Sequence, residues 1–411
     1  MKSRERVAAV LNHQQPDRVP IDLASNCCTG INVISYNRLK KSLGITTPSY
    51  VRNIVMMISA PDLEEDFMLL KEMGSDFVMV PRYVVDGFSA RAWKPWTLKD
   101  GSECMVPEDF NPTENEAGDL EFSDHGTTFR MPKGGHYFDP VTYPLAGIER
   151  ASDLDAVWPF VKNSSWLTMS DEELDFIEAR SKKLYAETEF ALVGDPYFFS
   201  VLQLPLQLFG YENLFVLMAA DPDFFSYFME LYTNAVDEFI TRYLQRVGRF
   251  LDAVVMTDDY GSQNGPQISP RMFSELVSPH LTRICGRIHE VSPNTRVVLH
   301  SCGSVYRLVP QFIESGVDAL NPLQTSARDM NPEVLKREFG KDIVLWGGGV
   351  SAQTTLHHGS VEEISKEVEE RMGTFKPGGG YVFCVDHDIQ ENVSSEKIRA
   401  VFKTAREHGT Y

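Results

Sequence analysis

Basic residues are scarce in this chain. It carries 39 Lys and Arg against 58 Asp and Glu, a formal net charge of −19 at pH 7. A nucleic-acid binder normally presents a basic face, and so does a protein that docks on an anionic membrane. Neither class of partner is expected here. Long apolar runs are also missing. No stretch approaches the ~18 residues needed to span a bilayer. The first residues, Met1 to Leu11, interleave charges with apolar side chains and read as a short amphipathic helix rather than a secretion signal. A cytoplasmic protein is the expectation. Cysteine is sparse, with six in 411 residues: Cys27, Cys28, Cys104, Cys285, Cys302 and Cys384. Without a secretion signal these read as reduced thiols or metal ligands, not disulfides. The adjacent Cys27 and Cys28 read as two small buried or loop residues. Internal repeats and low-complexity segments are absent. So is a Walker motif, since no Gly-Lys-Ser/Thr follows Gly347-Gly348-Gly349.

What is present is a succession of short apolar, β-branched runs. Eight stand out: 18–23, 76–80, 190–194, 252–257, 296–300, 317–321, 343–346 and 381–384. Most are continuous rather than alternating, as in strands covered on both faces of a parallel sheet. Helical patterns lie between them, notably 269–291, 305–315, 361–375 and 394–408. Eight strands with intervening helices give an α/β fold, a (β/α)₈ TIM barrel spanning 1–411 as one domain. About a hundred residues separate the second and third runs. Hairpin patterns at 101–106, 119–123 and 127–131 predict a β-rich insertion, residues 84–165, over the barrel mouth.

In such a barrel, reactive groups sit where strands end. Polar and ionisable residues follow nearly every run: Asn26, Arg82, Asp195 and Tyr197, Asp259 and Gln263, His300 and Cys302, Gln324, Trp346, then Cys384 and His387. His300 and Cys302 form the sharpest pair. On an extended strand i and i+2 share a face, so an imidazole and a thiol would point into the mouth together. Such N and S donors suit Zn²⁺, which in a catalytic site takes three protein ligands. The same spacing also suits a hydrogen-bonded histidine beside a buried thiol. Cys384 is taken as the third metal ligand, with His387 as its rival. Asp259, Asp195 and His387 are the candidate catalytic groups. Asn26, Arg82, Tyr197, Gln263, Gln324 and Trp346 are the candidate substrate contacts.

Four stretches carry a family resemblance. They are His13 to Pro20 (HQQPDRVP), His300 to Ser304 (HSCGS), Leu345 to Gly348 (LWGG) and Asp386 to Val393 (DHDIQENV). Together they resemble the uroporphyrinogen decarboxylase superfamily along the whole chain, least across 84–165. The resemblance implies a (β/α)₈ barrel and one of two chemistries. One branch removes carboxylates from a porphyrinogen without a cofactor. The other contains zinc-dependent methyltransferases that work with a corrinoid protein, including enzymes of anaerobic O-demethylation. The decarboxylase branch has an arginine-rich motif where this chain has Ala24 to Cys28, and an aspartate where it has Pro81-Arg82. His300-x-Cys302 matches the first two zinc ligands of the methyltransferase branch. That branch's third ligand, a cysteine, falls near Cys384 and His387. A distantly similar zinc barrel, cobalamin-independent methionine synthase, has a glutamate where this chain has Gln324.

The resemblance thus implies a methyltransferase acting between a small methylated or methoxylated substrate and a corrinoid protein, with zinc at the barrel mouth. A homodimer is compatible with it. The alternative is a metal-free decarboxylase or lyase, with His300 and His387 as acid/base groups and Arg82 anchoring a carboxylate.

Overall fold

The computed structural model describes residues 1–196 and 199–411. Seven parallel strands form one curled sheet. They are β1 (Phe77–Pro81), β2 (Ala191–Asp195), β3 (Ala253–Thr257), β4 (Arg296–His300), β5 (Ala319–Asn321), β6 (Val344–Trp346) and β7 (Tyr381–Val382). Neighbours in sequence are neighbours in the sheet throughout.

The eighth position is filled by a segment that is not a regular strand. Phe383 N–H donates to Pro20 O, Asp22 N–H donates to Phe383 O, and Asp76 N–H donates to Ile21 O. Ile21 thereby bridges Phe383 in parallel and closes the ring from β7 back to β1. The full strand expected over 18–23 is therefore reduced to a few bonds. Pro20 supplies no N–H to a ladder, which accounts for part of that reduction. The molecule is a (β/α)₈ barrel.

Side-chain alternation divides the core into two layers. Phe77, Val193, Val255, Val298, Val344, Trp346 and Cys384 point inward and pack as one cluster. Val7, Val10 and Leu11, from the N-terminal helix Ser3–Leu11, join that cluster and plug it. The alternate residues, such as Val78, Leu192, Val254, Leu299 and Leu345, face outward into the helical layer. The plug is also fixed by charge. Arg6 reaches the fully buried Asp76 at 2.6 Å, and Arg18 reaches it at 2.7 Å.

The segment between β1 and β2 contains three hairpins: Val84–Val85 with Phe88–Ser89, Trp93–Thr97 with Glu103–Pro107, and Leu120–Asp124 with Thr127–Met131. Phe110, Phe122, Phe129 and Phe138 give it a separate aromatic core. Tyr137 then links it to the loop after β7, its hydroxyl donating to Gln390 and Glu391. Among the described residues no helix is long and apolar enough to cross a membrane.

Candidate metal centre

His300 is the last residue of β4, and the strand's alternation turns it inward. Cys302 lies two residues on, where the chain leaves the strand. Gly303 makes that departure with φ +81°, and a Cβ there would sit 2.6 Å from the Gly261 carbonyl carbon. Only glycine fits so close a backbone crossing. Two hydrogen bonds hold the turn. Asp259 Oδ1 accepts from Cys302 N–H at 2.8 Å, and Gln324 Oε1 accepts from Gly303 N–H at 2.6 Å. His387 arrives from the loop after β7. One ligand atom each from His300, Cys302 and His387 lies within 4.8 Å of the others.

The nitrogen that each ring presents follows from its partners. Asn321 Nδ2 donates to Trp346 O at 3.3 Å and towards Cys384 Sγ at 3.6 Å. Its Oδ1 is therefore left to accept from His300 Nδ1, at 2.7 Å. The lone pair of His300 sits on Nε2, 3.3 Å from Cys302 Sγ. His387 Nδ1 donates to the Asp388 carboxylate, whose other oxygen accepts from Gln390 Nε2 at 2.8 Å. His387 likewise presents Nε2.

Two oriented imidazoles and a thiol suit zinc. Tetrahedral zinc with ordinary bond lengths separates its nitrogen and sulfur ligands by roughly 3.3–3.6 Å. The His300–Cys302 spacing already meets that requirement, and the third donor needs only a small inward movement. Histidines backed by an amide and a carboxylate are a usual arrangement around bound metals.

Electrostatics favour positive charge at this point. Burial opposes protonation of His300, yet the nearby Cys28 and Cys302 thiols outweigh it and hold the ring well above its usual range. His387 behaves in the same way, with Cys302 and Asp388 overriding burial. A metal ion would have to displace these protons, so binding there would be pH-dependent.

The expected donor Cys384 is not in this group. It points into the barrel interior, fully buried, where burial and the carboxylates of Asp22 and Asp386 push its thiol well above its ordinary range. His387, expected as a catalytic acid or base, stands in its place. Among the expected substrate contacts, Gln263 and Gln324 line an open cleft of about 500 Å³ together with Asp259, Cys302 and His387.

Arg82 is not free to anchor a carboxylate. It forms a two-pronged buried pair with Glu173, at 2.7 and 3.0 Å, and also donates to Ser165 O. Trp346 lies inside the barrel against Phe77, donating to Asp22 Oδ2 at 2.9 Å. Asn26 caps the turn that follows it, accepting from Cys28 and Thr29 N–H. Asp195 accepts from Cys27 N–H at 2.9 Å. Tyr197 lies outside the described residues. Asn321 and Asp388 were not singled out from sequence. Asn321 is the register partner of His300 across β4 and β5, and Asp388 adjoins His387, so strand-end position was the available signal.

Comparison with known proteins agrees with this architecture. The family model described as uroporphyrinogen decarboxylase (URO-D) matches residues 196–408. A methyltransferase from Methanosarcina mazei has a similar structure, with a TM-score of 0.59 at 18% identity, covering 99% of both chains. An agarase, AgWH50C, gives a TM-score of only 0.31 at 9% identity, over 74% of this chain and 65% of its own. No curated protein sequence matches. The family match spans more than half of a chain whose seven-stranded parallel sheet closes through Ile21, and the chain belongs to the uroporphyrinogen decarboxylase family.

Proposed function

We propose that the protein is a zinc-dependent methyltransferase, moving a methyl group between a small methylated or methoxylated substrate and a corrinoid protein. The convergence of His300, Cys302 and His387 carries this reading. These three residues would hold the metal, which as a Lewis acid would stabilise negative charge on the substrate heteroatom. The similarity in fold to the M. mazei methyltransferase supports the same class.

The chain's own groups have separable tasks. Asn321 and Asp388 keep both imidazoles turned with Nε2 toward the site. Asp259 acts through the Cys302 backbone and is a positioning residue. Gln263 and Gln324 line the approach and offer amide hydrogen bonds to a small polar substrate. Asp195, at the mouth end of β2, accepts from Cys27 N–H and would act through the turn that Asn26 caps. The lyase alternative loses its anchor, because Arg82 is already neutralised by Glu173.

Metal analysis tests the reading. Protein purified without chelator is expected to carry about one zinc per chain, and the His300→Ala, Cys302→Ala double variant to carry none. Transfer to free methyl-accepting cobalamin, followed by its change in absorbance, is expected to vanish with the metal. Metal-free wild-type protein with undiminished transfer would overturn the proposal.

A further inference from the structure

The stretch that carries His387 is held from two sides. Its backbone is tied to the barrel side of the molecule. Ile389 N–H donates to Gly30 O, and Asn32 N–H donates to Ile389 O. Ser35 Oγ donates to Gln390 O at 2.7 Å, and Arg38 Nη1 donates to Glu391 O at 2.8 Å. Its side chains are tied to the hairpin segment between β1 and β2. His387 Nδ1 donates to one oxygen of the buried Asp388, whose other oxygen accepts from Gln390 Nε2 at 2.8 Å. Gln390 Oε1 is then left for the hydroxyl of Tyr137, of whose two acceptors it is the nearer; the other is Glu391 Oε2 at 3.1 Å. Every donor in this chain meets an acceptor. A reversed Gln390 amide would set its oxygen against the Asp388 carboxylate, acceptor against acceptor.

We propose that Tyr137 is a positioning residue for His387, acting through Gln390 and Asp388, so that the hairpin segment helps to hold a ligand of the metal centre. The inference rests on the zinc reading above. The Tyr137 hydroxyl favours the Gln390 amide with Nε2 toward Asp388. That amide fixes the plane of the carboxylate, whose remaining oxygen takes the His387 Nδ1 proton and leaves Nε2 for the metal. Because Gly30, Asn32, Ser35 and Arg38 already tie the backbone, what the hydroxyl adds is side-chain orientation. Gln390 and Glu391 also line the open cleft, so the same contact joins the hairpin segment to the wall of the substrate approach.

The experiment is competition for zinc between a chromophoric chelator and the full chain. Wild type is compared with Tyr137→Phe, with Gln390→Met and Gln390→Ala, and with Tyr137→Phe added to each of the latter. Tyr143→Phe is the control, since it removes a hydroxyl bond to Pro140 O in the same segment. Circular dichroism checks that each variant is folded. Tyr137→Phe is expected to weaken zinc binding about three- to tenfold, the worth of one ordinary hydrogen bond. Replacing Gln390 is expected to weaken it at least as much, and adding Tyr137→Phe to that change is expected to do nothing more. Tyr143→Phe is expected to match wild type. A merely structural loss would instead add in full to the Gln390 variants. Undiminished affinity in Tyr137→Phe, equal weakening by Tyr143→Phe, or a Tyr137→Phe loss that persists in the Gln390 variants overturns the inference and leaves the zinc reading standing. Failure of wild type to retain zinc overturns both.

Discussion

His300 can offer a metal only the nitrogen that Asn321 leaves free. Asn321 fixes that choice because its own amide is oriented by Trp346 O and Cys384 Sγ. Asn321→Ala removes the 2.7 Å bond and lets the ring turn or change tautomer. Zinc affinity is expected to fall about 10- to 100-fold, read by chelator competition. The zinc-free protein is expected to lose about 1–3 kcal/mol as well, because His300 Nδ1 loses its buried partner. Unchanged affinity would mean that His300 is not a ligand. The same residues show how much of the site was legible. His300 and Cys302 were, because two positions on one strand share a face. The choice between Cys384 and His387 was not. Alternation carries Cys384 into the barrel interior. His387 returns toward β4 because Asp386 N–H bonds Val350 O and Ile389 N–H bonds Gly30 O. Those bonds span 36 residues in one case and most of the chain in the other, so no local pattern announces them. Arg82 misled for a related reason: its partner Glu173 lies 91 residues away.

Elements were read with more success where apolar residues were continuous. Seven of the eight runs coincide with the barrel strands to within two residues at either end, since burial on both faces demands such sequences. The run at 18–23 carries the same signal but forms only scattered bonds around Pro20. Between β4 and the helical layer, the turn at Gly303 does the positioning that strand geometry cannot. Gly303→Ala puts a Cβ at φ +81°, 2.6 Å from one backbone atom and 2.7 Å from another. Strain and overpacking together are expected to cost about 2–4 kcal/mol in denaturant unfolding. Gly286→Ala is the contrasting case. It lies within the helix Ser278–Val291, and an added Cβ meets nothing within 4 Å. Relief of the glycine penalty is expected to stabilise by about 0.5–1 kcal/mol. Equal effects of the two substitutions would contradict the crossing of Gly261 and Gly303 as the constraint on Cys302.

Across the whole molecule, buried carboxylates set how stability responds to pH. Burial pushes Asp252 up to about 6, against a backbone bond from Leu192 and the nearby Arg4. Asp22 is raised to about 6 and Asp258 to about 7, again by burial, despite the hydrogen bonds each accepts. Each group favours its protonated form when folded. The stability it contributes is fully present below its unfolded value near 4 and is lost as pH rises through the folded value. Other acids act in the opposite sense. The Arg6 hydrogen bond holds Asp17 well below its ordinary value. Glu64 is lowered to about 2, because a backbone bond, Lys183 and Arg180 outweigh its burial. Their contribution is present above about 4 and is lost as pH falls through the folded values. Stability is therefore expected to peak near pH 5 and to decline from about pH 5 to pH 8. Asp252 lies far along the chain from the proposed ligands, at the start of β3, and accepts a 2.9 Å bond from Leu192 N–H that an amide oxygen can also accept. Asp252→Asn is expected to unfold like wild type at pH 4 and to be more stable at pH 8 by on the order of 2 kcal/mol. Melting temperatures across that range test the sign directly. A variant whose pH profile parallels that of wild type would mean that Asp252 is ionised in the folded protein and stabilised by Arg4 after all.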